Sequence, residues 1–245
     1  MRNVSLLLVL LSAAGASAAG LTVHTRTNDK ESIIYVDGNR VRVETVGEAS
    51  TIFDADAKKL ITLDDKAKTY TETTTAEMAA ATAQRKEQMA AAMSKMPPER
   101  RKAMENQMAK AMGGGDQVEP KWERTGKDET IAGLACKGYK GTTRGGPAEA
   151  CFVPWGKGIS KEDIAPMIAF ASAMSSALMG GKGGSQVASE FERAPGFPAS
   201  EIVFGEDGKP VVTTRLESLS RGSVSSSHFA VPAGYTAGEK PMHHR

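Results

Sequence analysis

The feature that most constrains this chain is a two-residue turn set inside strict alternation. Ile33-Ile34-Tyr35-Val36 and Val41-Arg42-Val43-Glu44 flank Gly38-Asn39, and alternation with a period of two marks a half-buried strand. Glycine supplies the positive φ that the first position of a type II′ hairpin turn needs. The turn sets Val36 opposite Val41 and Ile34 opposite Val43, so four apolar side chains share one face. Arg40, Arg42 and Glu44 share the other. A slip of one residue would bury the charges, so the register is well specified.

The same period runs through 21–73. Residues 21–25 read as a first strand, and Thr51-Ile52-Phe53, 59–63 and 68–73 continue the meander. Asp54-Ala55-Asp56-Ala57 and Asp64-Asp65-Lys66-Ala67 are turn chemistry, since aspartate carboxylates bond the backbone that follows them. They lack the glutamate and spacing of a calcium loop. At Thr75 the pattern changes to Ala, Gln, Lys, Glu and Met, all strong helix formers. Pro97-Pro98 ends one helix and suits the first turn of the next, which runs to about Met112 and stops at Gly113-Gly114-Gly115. Residues 75–112 therefore read as a helical hairpin inserted between strands.

Strands resume at about Lys121, over 122–125, 136–143 and 149–155. A second helical insert, 160–179, carries Met167, Ile168, Phe170, Ala171, Met174 and Leu178 on one apolar side, and glycine-rich 180–184 is a flexible break. Strands return at 201–204, 211–219 and 222–231, the first two joined around Asp207-Gly208. The expected fold class is mainly β with α inserts, about ten antiparallel strands, without the rhythm of parallel βαβ units.

The first residues have a different character. Arg2 precedes an apolar run over 4–11, and small residues follow to Ala16-Ser17-Ala18, the pattern a signal peptidase reads. The run is too short to span a bilayer, which takes roughly 20 apolar residues. The reading is a secretory signal peptide over 1–18, a single β-rich domain over 19–236 and a disordered polar tail over 237–245. The expected location is the periplasm, with no cysteine near the cut to carry a lipid anchor. Without 1–18 the charges stand at 30 basic against 29 acidic, a balance that gives no support to a nucleic-acid partner. In an oxidising compartment the two cysteines, Cys136 and Cys151, most simply form one disulfide. Their spacing is not that of a redox-active pair.

Little points to catalysis. Ser227 and His228 are neighbours on an expected strand, so their side chains face opposite ways and cannot act as nucleophile and base. No nucleophile elbow, zinc-protease motif or phosphate-cradling loop is present. No enzyme activity and no cofactor are expected. The methionines are the most unusual feature: of twelve, ten lie in the two helical inserts. Three readings stay open, namely copper(I) ligation through thioethers, a pliable apolar surface, and plain packing of helix on sheet. Seven basic residues against three acidic ones over 85–110 add a second theme, a basic face for anionic lipid or a solvated surface with pairing along the helix.

Several motifs in linked order resemble a known type of domain. They are 35–44, Ile52-Phe53-Asp54, 59–64, Lys68-Thr69-Tyr70, Glu129-Thr130-Ile131-Ala132-Gly133, Cys136-Lys137-Gly138-Tyr139 and 229–235. Together they resemble an uncharacterised family of exported bacterial domains that is similar to the lipoprotein-localisation carriers of the LolA/LolB type. The resemblance implies a half-open antiparallel barrel wrapped round helices, its apolar interior receiving acyl chains. Ile34, Val36, Val41, Val43, Phe53, Tyr70, Met89, Met93, Met104, Met108, Phe170 and Met174 are then the barrel-facing candidates for binding, with core packing as their alternative role. The chain departs from those carriers in opening its mature part with a strand and in carrying the Met-rich hairpin. The expected function is a non-enzymatic periplasmic carrier or binder of an acyl chain, lipid or lipoprotein. The alternative is a cell-envelope interaction module that sets the basic hairpin on a membrane surface or an envelope protein.

Overall fold

The computed structural model describes residues 20–111, 121–143, 145–179 and 188–238; of 105–111 and 177–179 it describes the backbone alone. The expected signal peptide, the glycine breaks at 113–115 and 180–184, and the end of the chain from 239 lie outside the described residues.

The chain begins as a six-stranded meander: β1 (Gly20–Thr27), β2 (Lys30–Asp37), β3 (Arg40–Thr45), β4 (Ser50–Asp54), β5 (Lys59–Asp64) and β6 (Thr69–Thr74). The hairpin at 38–39 has the expected register, Val36 opposite Val41 and Ile34 opposite Val43. Gly38 takes a φ of 56° there. The aspartates close their turns as expected: Ala57 N donates to Asp54 Oδ1 at 2.9 Å, and Lys66 N and Ala67 N both donate to Asp64 Oδ1 at 2.9 Å.

Thr74 then starts a helix. Its hydroxyl accepts from Glu77 N while its own N–H donates to the Glu77 carboxylate, a reciprocal cap. Helices α1 (Thr75–Ser94) and α2 (Pro98–Ala111) lie at the expected places with the break at Pro97, but they pack little on each other, so the hairpin is an open one. Next come β7 (Lys121–Ile131), β8 (Leu134–Thr143), β9 (Gly146–Pro154) and α3 (Lys161–Met179). A further helical piece follows, α4 (188–193), then β10 (Gly196–Phe204), β11 (Pro210–Gly222), a 3₁₀ turn (Ser226–Phe229) and the short β12 (Thr236–Ala237).

The twelve strands form one open sheet in the order β12-β6-β5-β4-β3-β2-β1-β11-β10-β9-β8-β7. All neighbours are antiparallel except β12 with β6. The meander β1–β6 is thus one wing and β7–β11 the other, joined where β1 lies against β11. One face carries the main core: Leu21 and Val23 of β1, Val36, Val41, Val153 and Phe197 meet Ile159 and Ile164 at the start of α3. Cys136 and Cys151 belong to it and are disulfide-bonded, linking β8 to β9 as expected.

The opposite face of the first wing is covered by the chain's last described stretch. Ile52, Ile61 and Leu63 are buried under Phe229, Val231 and Tyr235. Arg40 places its guanidinium 4.7 Å from the Phe229 ring centre. His228 stacks on Tyr35 with ring centres 4.0 Å apart, and its carbonyl accepts from Arg42 Nη1 at 3.0 Å. The Tyr235 hydroxyl donates to Asp65, and Gly238 N donates to Tyr70 O at 2.7 Å.

Three expectations give way here. Residues 222–231 are no strand: β11 runs unbroken to Gly222, and the serines after it bond their own backbone. Ser227 N donates to the Ser225 hydroxyl and His228 N to Ser225 O, an alternative to ladder pairing that serine favours. Tyr70 faces this strap, opposite the side of Phe53, because its cross-strand partner is Leu63. Among the described residues the strand count is also twelve, above the ten or so expected, with the short β12 added at one edge.

Candidate functional site

The second wing carries a groove of about 420 Å³. Phe152 of β9 forms its floor. Because Cys151 and Val153 point into the main core, Phe152 between them points to the other face. Trp122 of β7 meets the Phe152 ring edge-on with centres 4.9 Å apart, and Tyr139 of β8 does so at 5.6 Å. Gly141 lets Trp122 lie across β8: a Cβ there would stand 2.4 Å from Lys121 O and 2.8 Å from the indole.

Val203 of β10 and its cross-strand partner Val212 of β11 make the apolar wall. Val211 and Val212 remain 52% and 39% exposed at the mouth. Phe191 and Ala194 of the α4 segment close the groove from above. That segment is held by Trp155, whose Nε1 donates to Ala194 O at 3.0 Å, and by Lys161, whose Nζ donates to Glu192 O at 2.9 Å. Two carboxylates line the same space. Burial pushes the Glu201 carboxyl up, and the charge of Glu190 adds to the shift. A concave, mostly apolar space of this size with a few polar groups is what small-molecule sites look like.

The residues singled out from the sequence fall elsewhere. Val36 and Val41 are buried, and Ile34 and Val43 pack against the same core, which α3 fills with Ile164, Met167 and Ile168. Phe53 and Phe170 meet with ring centres 5.7 Å apart, and Met174 is half-buried on α3. Tyr70 belongs to the strap face. Met89 and Met104 are each 41% exposed on the hairpin, Met93 is half-buried there, and the Met108 side chain lies outside the described residues. The eleven whose side chains are described thus form three sets in three places, and none of them lines the groove. Trp122, Phe152, Phe191 and Val203 were not singled out. The legible signal was Val211-Val212, two adjacent apolar residues on a strand, one of which must occupy the face that alternation reserves for polar groups.

Among the described residues no group of three or more His, Cys, Asp or Glu could hold a metal ion. No described helix is long and apolar enough to cross a membrane. Ser227 and His228 lie on a 3₁₀ turn rather than a strand.

A family model described as a domain of unknown function, DUF4412, matches residues 85–235. The chain belongs to the DUF4412 family. The DUF4412 match takes in the hairpin from mid-α1, the whole second wing with its groove, and the strap to Tyr235; the first wing precedes it. An uncharacterised domain is what the motifs implied, and no likeness to the LolA/LolB-type carriers is shown alongside it. No curated protein matches. Among solved structures, an uncharacterised conserved protein from Thermus thermophilus is similar over 91% of each chain, at 9% identity and a TM-score of 0.45. Two structures of PNGF-II are similar over 91% of this chain and 31% and 32% of theirs. Their identity is 8% and their TM-scores 0.37 and 0.38.

Proposed function

We propose that this DUF4412 protein is a non-enzymatic binder or carrier of an apolar ligand, exported to the periplasm, and that the groove over Phe152 receives the ligand. The observation that carries the reading is the groove itself, walled by Trp122, Phe152, Phe191 and Val203 and left open at Val211 and Val212. An apolar mouth exposed to water gains by covering itself, at about 25 cal/mol for each Å² of apolar surface removed from water. An acyl chain fits the lining, since a saturated chain needs only contact and no partner for hydrogen bonds. The residues on the α3 face serve packing in this reading. Export is supported by the order of charge, apolar run and small residues in 1–18. A half-open barrel related to the lipoprotein carriers is part of the same proposal, supported by the mainly antiparallel open sheet with α3 lying on one face.

The test is native mass spectrometry with lipid extraction on protein recovered from the periplasm, together with quenching of the native protein's tryptophan emission by a doxyl-labelled acyl chain. Co-purified lipid, or saturable quenching that Val212→Gln weakens, is expected. A clean ligand-free mass and no quenching would overturn the proposal.

A further inference from the structure

The helical hairpin has no role in the groove, and its outer part touches little else. Ala81 and Thr82 are the buried residues of α1, and every residue over 83–92 is exposed. Nearly three turns of helix therefore stand clear of the sheet on all sides. A repeated arrangement marks both arms. Arg85 and Lys86 stand four and three positions before Met89, and Arg100 and Arg101 stand four and three before Met104. At those spacings the basic pair and the methionine share one helical face. Both methionines are 41% exposed.

Charge on this surface is one-sided. Over 85–104 six basic residues, with Lys95 and Lys102 completing the set, face only Glu87 and Glu99. Among the described residues none of the six has an ion-pair partner. Elsewhere ion-paired cations, such as Arg26 with Glu217 and Arg124 with Asp128, alternate with single ones such as Lys66 and Lys137, and the six here stand together.

We infer that the hairpin α1–α2 docks on the surface of an anionic lipid bilayer, its arginines and lysines at the phosphates and Met89 and Met104 seated among the head groups. Charge complementarity argues for the anionic occupant. The methionines argue for lipid over a folded acidic protein. Each is a flexible, unbranched apolar side chain flanked by long cationic stems, a combination that sinks shallowly into a fluid interface without a shaped pocket. The inference is independent of the groove: a protein without any ligand would still bind the membrane.

The experiment is sedimentation of the purified full protein with vesicles of phosphatidylglycerol in phosphatidylcholine, against phosphatidylcholine alone. Binding to the anionic vesicles alone, falling as salt rises, is expected. Each neutralised basic residue should lower partitioning roughly fivefold, so the quadruple change Arg85→Gln, Lys86→Gln, Arg100→Gln, Arg101→Gln should lower it by roughly a hundredfold or more. Its circular dichroism should match the parent, because these side chains lie at the surface. Met89→Gln with Met104→Gln should abolish the binding that survives high salt. Equal binding to neutral vesicles, no binding to anionic ones, or a quadruple variant that sediments like the parent would each overturn the inference. So would capture of an acidic protein by a hairpin that ignores lipid.

Discussion

Arg221 at the end of β11 holds Asp163 in the first turn of α3 with two hydrogen bonds, Nη1 to Oδ1 at 2.7 Å and Nη2 to Oδ2 at 2.5 Å. The same guanidinium donates to Gly158 O at 2.9 Å, in the loop that leads into the helix. Asp163 also accepts from Ser160 N at 2.6 Å while donating its own N–H to the Ser160 hydroxyl at 3.3 Å. One carboxylate thus caps α3 and fastens it to the sheet.

That arrangement fixes a pH dependence. Arg221 in first place, helped by the Ser160 backbone, holds the Asp163 carboxyl well below the usual carboxylate range. Its contribution is therefore complete above the unfolded value near 4 and is lost as pH falls below it. Asp163→Asn should destabilise the fold by roughly 1–2 kcal/mol near neutrality. The gap between variant and parent should shrink in acid. Urea midpoints at about pH 7 and about pH 3 check both, and a gap that stays constant would refute the assignment.

Breaking the disulfide should be felt throughout the second wing. Cys136 and Cys151 are 15 residues apart and both lie in the core. Loop closure of that length stabilises by about 3 kcal/mol in the chain-entropy model. Denaturant unfolding of the oxidised protein, the reduced protein and a Cys136→Ala, Cys151→Ala variant should show that loss in both thiol-free and reduced forms.

Gly141→Val should injure the groove and spare the core. Its Cβ would strike Lys121 O and the Trp122 ring, so the indole must leave Phe152. Tryptophan emission should move to longer wavelength and acyl-chain quenching should weaken. Hydrogen exchange at β1 and α3 should stay as in the parent.

Removing the strap should expose what it covers. Phe229→Ala takes away a ring packed on the Ile52, Ile61 and Leu63 cluster and stacked under Arg40, with a loss of about 2 kcal/mol for a half-buried aromatic. A chain ending at Gly222 leaves that apolar patch bare, and a hydrophobic dye should bind it strongly. Unchanged dye binding would mean the strap is ornamental.

The first wing was legible because its rules are local. Gly38-Asn39, the alternation around it and the aspartate turns each act within a few residues, and the register at Val36 and Val41 followed from them. Helix breaks at Pro97-Pro98 and the span of α3 were equally local. The groove was not legible, since Trp122, Phe152 and Val203 lie on three strands and meet only through the β7–β11 pairing. Tyr70 shows the converse error. It alternates correctly along β6, yet which face it joins was decided by its pairing with Leu63 and by a strap more than a hundred residues later. The spacing of Met89 and Met104 is legible in the sequence, but that each stays 41% exposed is a tertiary fact.

The seam between the wings also sets when the molecule can be completed. Arg26 of β1 and Glu217 of β11 pair across 191 positions of sequence. A chain threaded out from its amino end presents β1 with one edge taken by β2 and the other bare until 210–222 arrive. A bare strand edge invites pairing with another chain, and contacts this distant in sequence form slowly. Each wing can assemble as a local meander, but neither is a finished half. Synthesis must deliver nearly the whole polypeptide before the sheet closes its centre, and any messenger truncated short of β11 should yield aggregate rather than a smaller working domain.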